Sequence, residues 1–453
     1  DTYTTSGGGK FTTKEEGEQA FATIEGKPFT VTDVQKKRGT EAPPHLYDLT
    51  SLQVDCNRKF GMSADMTLKI IQTLYERKLT TYPRVDTQYL SDDIYPKCGG
   101  ILNGIKGYDQ LLTALRGKPL KKSKKVFDTS KVTDHHAIIP TGVPAQGLTD
   151  MERHVYDLIA RRFISVFYPD CKFATTTVMG DVDGIEFKAT GKLILDPGWR
   201  AVYAKDAADR QTADDGDAKP QDEERTLPAF EKGESGEHTP TLTEKWTTPP
   251  KYYTEATLLR AMETAGKFVD NEELRAALKE NGIGRPSSRA GIIETLFKRH
   301  YIRRERKNLV ATATGIELID LIKEELLKSC ELTGIWEKKL RDIEHKTYDP
   351  AQFISELKEQ IATIVHDVLS DNSNRRVTIL TEEDLKKKTK RKTAAKPKAT
   401  TATKSAAKPG DAAGVKPGDV CPVCGKGVVI KGKTAYGCSR WKEGCSFRLP
   451  FEQ

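Results

Sequence analysis

The alternation of apolar and polar residues from 46 to 82 gives the clearest structural signal in the chain. An amphipathic run at 46–60 and a helical repeat at 64–78 predict two helices. The second helix should begin after Ser63 as its N-cap, and its buried face should hold four residues: Ile70, Ile71, Leu74 and Tyr75. A β-prone stretch follows at 79–82. We therefore expect a strand directly after the two helices.

Two further patterns predict a sheet and a second group of helices. Short β-prone runs at 172–179 and 185–195 flank the sequence Asp181-Val182-Asp183-Gly184, which predicts two antiparallel strands joined by a β-turn. Helical periodicity returns in three ranges: 254–264, 271–279 and 286–300. An apparent hairpin follows at 301–311, around a turn at Lys307-Asn308. Helices followed by strands in this way are typical of winged-helix modules, and the first module would carry Tyr82 on its strand.

Chain length and composition indicate the number of domains and the class of binding partner. The chain has 453 residues, which suits about three domains. Its net charge of +8 suits a polyanionic partner, although much of the excess lies in one Lys-rich stretch near the C-terminus. The sequence has no run of about 18 apolar residues that could span a bilayer, and no secretory leader is visible. We expect a cytoplasmic protein without a membrane partner.

The predicted fold class is α+β and multidomain, with winged-helix modules, an antiparallel β gate or arch domain and a C-terminal zinc ribbon. Residues 386–419 consist of Lys, Ala, Thr, Pro and Gly, with few others, and cannot bury enough apolar surface to fold. A mobile loop is expected at 205–225. The predicted divisions are 1–35 with 165–247 (β-rich domain), 36–164 (domain carrying Tyr82), 248–370 (helical DNA-binding domain), 371–419 (disordered basic linker) and 420–453 (zinc ribbon).

The segment Thr80-Thr81-Tyr82-Pro83-Arg84 carries the most chemical information. Pro83 pushes the residue before it into extended geometry, and residues two apart in an extended segment project to one face. Tyr82 and Arg84 should therefore point the same way. Phenols are mostly protonated at neutral pH, so attack of Tyr82 on a phosphodiester needs proton removal or a cation such as the Arg84 guanidinium. In isolation, the two residues would more often be an ordinary tyrosine and a surface charge.

Two other segments contain residue types that bind phosphate. His135 and His136 precede an apolar run; such a pair is more often structural, and further metal ligands are not apparent nearby. In the run Gly282-Ile283-Gly284-Arg285-Pro286-Ser287-Ser288, the glycines permit a close backbone approach and Pro286 suits the first turn of a helix. The free amides of such a helix start form an anion site beside Arg285.

These segments, in this order, resemble the motifs of the type IA DNA topoisomerase family, and in particular its bacterial topoisomerase III branch. The run at 79–90 (LTTYPRVDTQYL) is similar to the active-site tyrosine motif of that branch, and 134–141 is similar to the family's histidine motif. The resemblance implies that Tyr82 is the nucleophile and that Arg84 and His135 stabilise the scissile phosphate. It also implies four contacts to DNA: His136, Arg285, Ser287 and Ser288.

The resemblance implies a reaction and its cofactor. Family members cut one DNA strand through a 5′-phosphotyrosine, pass DNA through a protein gate and reseal the break without ATP. They bind Mg²⁺ in an N-terminal Toprim domain, which nothing in this chain matches, so we expect an N-terminal truncation and a fragment that binds DNA without cleaving it efficiently. The implied partners are single-stranded DNA, a RecQ-type helicase and a single-strand-binding protein, in the cytoplasm at the nucleoid.

Four cysteines near the C-terminus predict the zinc ribbon: Cys421, Cys424, Cys438 and Cys445. Structural Zn²⁺ is favoured over redox chemistry of the Cys-x-x-Cys pair, because a unit this short has no core of its own. Cations and aromatic residues are mixed in the same segment, as they are on surfaces that stack single-stranded bases. Arg440 and Trp441 are the predicted DNA contacts there.

Two other functions remain open on the sequence alone. A non-catalytic DNA-binding protein made of winged helices and a zinc ribbon would explain the charge and the cysteines, but it leaves Tyr82 and His135 without a role. A tyrosine recombinase or a relaxase also uses a phenol nucleophile. The former needs further spaced Arg and His residues and the latter a His-rich metal triad, and neither pattern is apparent.

Overall fold

A computed structural model describes residues 4–5, 11–204, 226–371, 376–379, 418–421, 425, 427–431, 435–440, 445 and 447–450. The chain divides into two compact units, at 1–380 and 381–453. Both contain antiparallel strands, and the first is a mixed α/β unit. The loop predicted at 205–225 and almost all of the linker predicted at 371–419 lie outside the described residues. Within the described ranges, no helix has the length and apolar character needed to cross a membrane.

An antiparallel sheet forms the β-rich part of the first unit. Its described strands are β1 (Thr4–Thr5), β2 (Phe29–Glu41), β3 (Cys171–Val182), β4 (Ile185–Asp196) and β5 (Ser235–Gly236), in the order β1-β4-β3-β2-β5. The predicted β3–β4 pair is confirmed, with Val182 opposite Ile185. Asp183 and Gly184 form the two-residue turn at positive φ (51° and 84°), as a type I′ hairpin requires. Strand β2 continues through the domain boundary predicted at 35/36.

Helices surround the predicted tyrosine segment. They are α1 (Lys14–Ile24), α2 (Leu49–Phe60), α3 (Ala64–Glu76), α4 (Cys98–Gly104), α5 (Asp109–Thr113) and α6 (Asp150–Ser165), with 3₁₀ turns at Asp92–Lys97, Thr129–Lys131 and Gly198–Tyr203. The two helices predicted before residue 79 are confirmed. Asp48 and Ser51 form a capping box at the start of α2, and Ser63 accepts from the Met66 amide at the start of α3.

A continuous apolar core fixes both halves of the tyrosine region. Leu79, Val85 and Leu90 are buried along the tyrosine segment, while Ile138 and Ile139 are buried directly after the histidine pair. Burial of such a side chain stabilises the fold by about 1.5–3 kcal/mol. The core thus anchors the backbone on either side of the polar residues that both motifs present.

The second helical group lies on α2 and α3. Its elements are α7 (Glu255–Glu263), α8 (Glu272–Asn281), α9 (Pro286–Lys298), β6 (Ile302–Glu305), β7 (Asn308–Ala311), α10 (Ala313–Leu321), α11 (Glu325–Lys328), α12 (Glu331–Glu344) and α13 (Pro350–Ser370), with a 3₁₀ turn at Ala265–Phe268. The predicted hairpin is confirmed, but Glu305 pairs with Asn308, so the turn is Arg306-Lys307 rather than Lys307-Asn308. Packing on α2 uses a second cluster: Val54, Ala64, Ala256, Leu259, Met262, Ala290 and Ile293.

The second unit contains a small sheet. Its described strands are β8 (Val429–Lys431), β9 (Ala435–Cys438) and β10 (Arg448–Pro450), all antiparallel in the order β10-β9-β8. Two backbone hydrogen bonds close the turn that contains Cys421. Cys421 N donates to Gly427 O, and Gly425 N donates to Cys421 O. These strands and the turn bring the cysteines close together.

Candidate active site and metal centre

The tyrosine segment is bound to the histidine segment by backbone hydrogen bonds. Thr81 N donates to Ile139 O (3.0 Å), and Thr141 N donates to Leu79 O (3.1 Å). The prediction of a strand at 79–82 is wrong, because within the described residues only an isolated bridge between Thr80 and Pro140 forms there. Pro83 and Pro140 have no N–H, so a ladder cannot continue through either of them.

After Pro83 the segment is extended, whereas the backbone bends at Thr81 and Pro83, on either side of Tyr82. That Tyr82 and Arg84 point the same way stays a prediction. Pro83, Val85 and Thr87 are buried, while Arg84 and Asp86 are exposed, which is the alternation of an extended chain. Leu49 N at the start of α2 donates to Val85 O (3.1 Å) and fixes this part of the segment. Arg84 therefore projects to solvent.

The Tyr82 ring lies between two other rings. The His135 ring centroid is 4.4 Å away at an angle of 36°, and the Tyr75 ring meets it edge-on at 5.5 Å. His135 is exposed and Tyr82 is partly exposed, so both side chains of this pair are accessible from solvent. His136 is half-buried, with Nδ1 2.8 Å from Ala137 O. Of the two histidines, only His135 lies against the tyrosine ring.

Tyr75 corrects one prediction and adds a residue to the site. Its side chain was expected in the buried face of α3, yet it is 38% exposed and contacts Tyr82. The helical repeat does place Ile71 and Leu74 in the core. The signal for Tyr75 was its position on the last turn of α3, from which a large side chain can reach the following segment.

The glycine loop before α9 has the backbone that the sequence suggested. Gly282 has φ 65° and ψ −156°, and a Cβ there would lie 2.4 Å from Met262 O, so a side chain is excluded. Arg285 is the exposed N-cap of α9, and Pro286 occupies its first turn. Ser288 Oγ donates to Arg285 O (3.0 Å), while Ser287 is half-buried.

Arg289 is a buried residue beside the glycine loop that the sequence analysis did not single out. Its side chain is 3% exposed; Nη1 donates to Thr50 Oγ1 (2.9 Å), and Nε donates to Gly284 O (3.0 Å). Burial lowers the pKa of its guanidinium. The sequence could have indicated Arg289 by one feature: it is a cationic residue on the apolar side of α9, one turn after Arg285. Arg289 joins the glycine loop to the first turn of α2.

The first turn of α2 is where two of the motifs meet. The tyrosine segment reaches it through Val85 O, and also through Gln88 Nε2, which donates to the Asp48 carboxylate (2.8 Å). The glycine loop reaches it through Arg289 and Thr50. Segments more than 200 residues apart in sequence are thus fixed to one helical turn.

The cysteine cluster has the geometry of a metal site. The sulfur atoms of Cys421, Cys438 and Cys445 all lie within 4.8 Å of one another, and those of Cys421 and Cys445 are 3.6 Å apart. Tetrahedral zinc with Zn–S bonds of ~2.3 Å separates its sulfur ligands by about 3.8 Å, so the three fit. The Arg440 amide donates to the Cys438 sulfur (3.4 Å), a bond that supports a thiolate. Cys424 and Trp441 lie outside the described residues.

Among the described residues, no cluster of three or more Asp or Glu side chains converges in the way that the three cysteines do. The three cysteines are the one set of three or more His, Cys, Asp or Glu side chains there whose ligand atoms converge. Magnesium prefers carboxylate and other oxygen ligands in octahedral geometry. The described residues therefore contain no cluster of three or more carboxylates that could by itself hold this ion.

Comparison with known proteins agrees with the arrangement of these motifs. Residues 2–355 match the family model described as DNA topoisomerase. DNA topoisomerase 3 of Bacillus subtilis is 38% identical over 354 residues, which cover 76% of this chain and 48% of that protein. The corresponding proteins of Bacillus licheniformis and Bacillus anthracis are 37% identical (78% of this chain, 49% of that protein) and 40% identical (76% and 47%).

A solved structure shows the same fold. Full-length topoisomerase I from Thermotoga maritima aligns with a TM-score of 0.57 at 23% identity, covering 80% of this chain and 56% of that one. The chain belongs to the type IA DNA topoisomerase family. Within that family its relatives lie in the topoisomerase III branch, as the resemblance predicted. The chain spans about half the length of the curated relatives it matches.

Proposed function

We propose that this chain supplies the nucleophile of a type IA topoisomerase, which breaks and rejoins single-stranded DNA without ATP. Tyr82 Oη would attack phosphorus, the bond to the 3′ oxygen would break, and that oxygen would leave with a proton to give a 5′-phosphotyrosine. Rejoining reverses these steps after strand passage. The observation that carries the proposal is the contact between the Tyr82 and His135 rings at 4.4 Å.

Arg84 and His135 have distinct roles in this proposal. The exposed Arg84 fork would bind the non-bridging phosphate oxygens and stabilise the charge that develops on them. His135 would donate a hydrogen bond to the same phosphate. The backbone bonds between residues 79–81 and 139–141 keep the two side chains in register, so little reorganisation is needed when DNA binds.

The second helical group would bind the DNA backbone as a winged-helix module, with the β6–β7 hairpin as its wing. Arg285 is exposed at the start of α9, where the positive end of the helix dipole attracts phosphate. Ser287 and Ser288 would add hydroxyl contacts in the same turn. His136 and the ribbon residues Arg440 and Trp441 complete the proposed DNA contacts.

Cofactors and partners follow from the family and from the cysteine geometry. Zinc would be held by Cys421, Cys438 and Cys445 with Cys424 as the fourth ligand, and would fold the ribbon. Type IA topoisomerases use Mg²⁺; we propose that its ligands belong to a Toprim domain such as the family carries. Single-stranded DNA is the proposed substrate, a RecQ-type helicase and a single-strand-binding protein are proposed partners, and the proposed location is the cytoplasm at the nucleoid. Relaxation and decatenation are the proposed outcomes.

Trapping the covalent intermediate tests the proposal. The chain is incubated with end-labelled single-stranded DNA, Mg²⁺ and the separately expressed N-terminal half of Bacillus subtilis DNA topoisomerase 3, then denatured. We expect a 5′-phosphotyrosine adduct that Tyr82→Phe abolishes. We expect His135→Ala and Arg84→Ala to lower its rate by about 10²–10³, the usual cost of losing one transition-state contact. Without the added half, the chain should bind DNA and leave supercoiled plasmid unrelaxed.

A second tyrosine provides the matched control. Tyr108 packs against the same apolar core as Tyr82 and is also half-buried, so Tyr108→Phe should retain the adduct. An adduct that persists in Tyr82→Phe would refute the assignment of the nucleophile. DNA binding without an adduct under any condition would favour the alternative, a non-catalytic DNA-binding protein.

A further inference from the structure

A loop at 118–125 concentrates positive charge at the far end of the tyrosine segment. It contains five lysines: Lys118, Lys121, Lys122, Lys124 and Lys125. We call it the lysine loop. All of them except Lys121 are exposed. Neither Tyr82 chemistry nor the fold of the core explains such a density of like charges, which repel one another in a compact state.

The base of the lysine loop is fixed to the tyrosine segment. Leu90 N donates to Val126 O (2.8 Å), and Asp128 N donates to Leu90 O (3.0 Å). Val126 and Phe127 are buried in the core, and both of their amides donate to Ser123 O. The loop therefore holds a set position relative to the segment that begins at Tyr82.

Aromatic rings and cations lie between the tyrosine segment and the lysine loop. The Tyr89 ring lies 5.5 Å from the His45 ring, and Lys131 Nζ lies 4.5 Å from the Tyr89 ring centroid. His45 Nδ1 is in turn 3.1 Å from Lys125 O. Cations interleaved with aromatic faces are the usual surface for single-stranded nucleic acid, whose unpaired bases can stack. The groove beside Tyr89 also contains the carboxylates of Asp48 and Asp86.

Only part of the loop's charge is neutralised within the fold. Lys121 pairs with Asp170 (2.5 Å) and Lys122 with Asp92 (2.6 Å). Lys118, Lys124 and Lys125 form no ion pair with any residue in the described part of the chain. These three ammonium groups remain available to phosphate.

We propose that the lysine loop binds the backbone of the DNA strand that Tyr82 cleaves, several nucleotides from the scissile phosphate. This inference rests on the proposed function, because it extends the path of the same strand. The partner is single-stranded rather than duplex DNA, since the path runs from a nucleophile that acts on a single strand and passes the Tyr89 and His45 rings. Phosphate contacts of this kind position the strand without reading its sequence.

A charge-neutralising double variant tests the lysine loop. Lys124→Ala with Lys125→Ala is compared with Lys14→Ala with Lys232→Ala, which removes the same charge from exposed lysines elsewhere. Affinity of each full chain for fluorescent oligothymidylates of about 5 and about 20 nucleotides, sizes that bracket known single-strand sites, is measured by anisotropy over a range of salt concentrations. Thermal unfolding confirms that both variants fold.

The expected result has two parts. The loop variant should lose about tenfold in affinity for the long strand at low salt, and the slope of log K against log salt should become shallower by about 1.4, or ~0.7 per lost phosphate contact. The control should keep the affinity and the slope of the unchanged chain. Equal behaviour of the two variants, or an equal loss on a blunt duplex with the same number of phosphates, would overturn the proposal.

The adduct assay separates this inference from the proposed function. If only the inference fails, the loop variant forms the Tyr82 adduct and binds the long strand as tightly as the control does. If the proposed function fails, no chain forms the adduct, whereas the difference in salt slope between the two variants can still be read.

Discussion

The region around Tyr82 and the C-terminal cysteine unit differ in what holds them together. Around Tyr82, one cluster of buried apolar side chains extends from Leu46 to Val202. In the described part of the cysteine unit, the buried apolar side chains are those of Val429, Ala435, Cys421 and Cys438. Packing therefore determines the shape of the first region, whereas the described residues of the second provide only a small core, and units with a core of that size usually need a cross-link such as a metal.

This difference indicates how each site is positioned. Tyr82 and His135 are carried by backbone whose neighbours are buried, so their geometry should persist without ligands. The cysteines converge from a turn (Cys421), the end of the four-residue strand β9 (Cys438) and the segment before β10 (Cys445), so their geometry should depend on a bound metal.

Removal of zinc should produce the largest change and confine it to the cysteine unit. Structural zinc contributes on the order of 10 kcal/mol in small domains. After chelation we expect iodoacetamide to label Cys421, Cys438 and Cys445 rapidly at pH 8. Cys56 and Cys98 should stay unlabelled, because burial raises the pKa of the Cys56 thiol to about 12 and that of Cys98 to about 11.

The labelling pattern can contradict this prediction in two ways. If Cys421 is labelled at the same rate before and after chelation, no metal protects it. Labelling of Cys56 after chelation would show that the apolar core depends on the metal as well. Peptide mapping by mass spectrometry distinguishes the sites, and denatured protein gives the maximum labelling for each.

A partly buried ion pair between Arg162 and Asp55 tests how the apolar core around Tyr82 is stabilised. Arg162 donates to His45 O (2.8 Å), Tyr47 Oη (2.8 Å) and Asp55 Oδ2 (2.9 Å). Burial also raises the pKa of Tyr47 well above its usual value, so its phenol stays protonated and donates to Asp55 (2.7 Å). Arg162→Ala removes the cation that neutralises Asp55. Breaking a buried pair costs ~3–5 kcal/mol, and since the Asp55 side chain is 27% exposed, we expect about 3 kcal/mol.

Urea unfolding followed by circular dichroism measures this loss. The matched control is Arg153→Ala on the same helix, whose partner Asp150 is 85% exposed. Exposed pairs contribute about 0–1 kcal/mol, so the control should unfold close to the unchanged chain. Equal losses in the two variants would mean that the Arg162 network adds nothing to the stability of the tyrosine region.

Local patterns were predictable from the sequence, and long-range contacts were not. The turn at Asp183-Gly184 and the helix starting after Ser63 depend on nearby residues, and the structure confirms both. The strand at 79–82 failed because its partner contains Pro140, which lies far away in sequence. The contact of Arg289 with Thr50 spans 239 positions, and no local signal could indicate its partner.

The smallest predicted effect concerns the capping box of α6, which packs beneath the tyrosine region. Thr149 Oγ1 accepts from the Glu152 amide (3.3 Å), and the Thr149 amide (2.8 Å) and hydroxyl (2.9 Å) donate to the Glu152 carboxylate. Loss of an N-cap side chain costs about 1 kcal/mol. We therefore expect Thr149→Ala to lower the free energy of unfolding by about this amount at pH 7, and Thr149→Ser to restore it.

At acid pH, the free energies of unfolding of Thr149→Ala and of the unchanged chain should differ by less than they do at pH 7. The bonds from the Thr149 amide and hydroxyl lower the pKa of Glu152 below its usual value. A carboxylate with a lowered pKa in the folded state stabilises the protein above its unfolded pKa, and this stabilisation is lost as the pH falls through the folded pKa. Urea unfolding at pH 7 and near pH 3 should give a smaller difference at the lower pH. The bond from the Glu152 amide to the Thr149 hydroxyl does not titrate, so part of the difference should remain. A difference that did not change with pH would mean that the carboxylate contributes nothing to the cap.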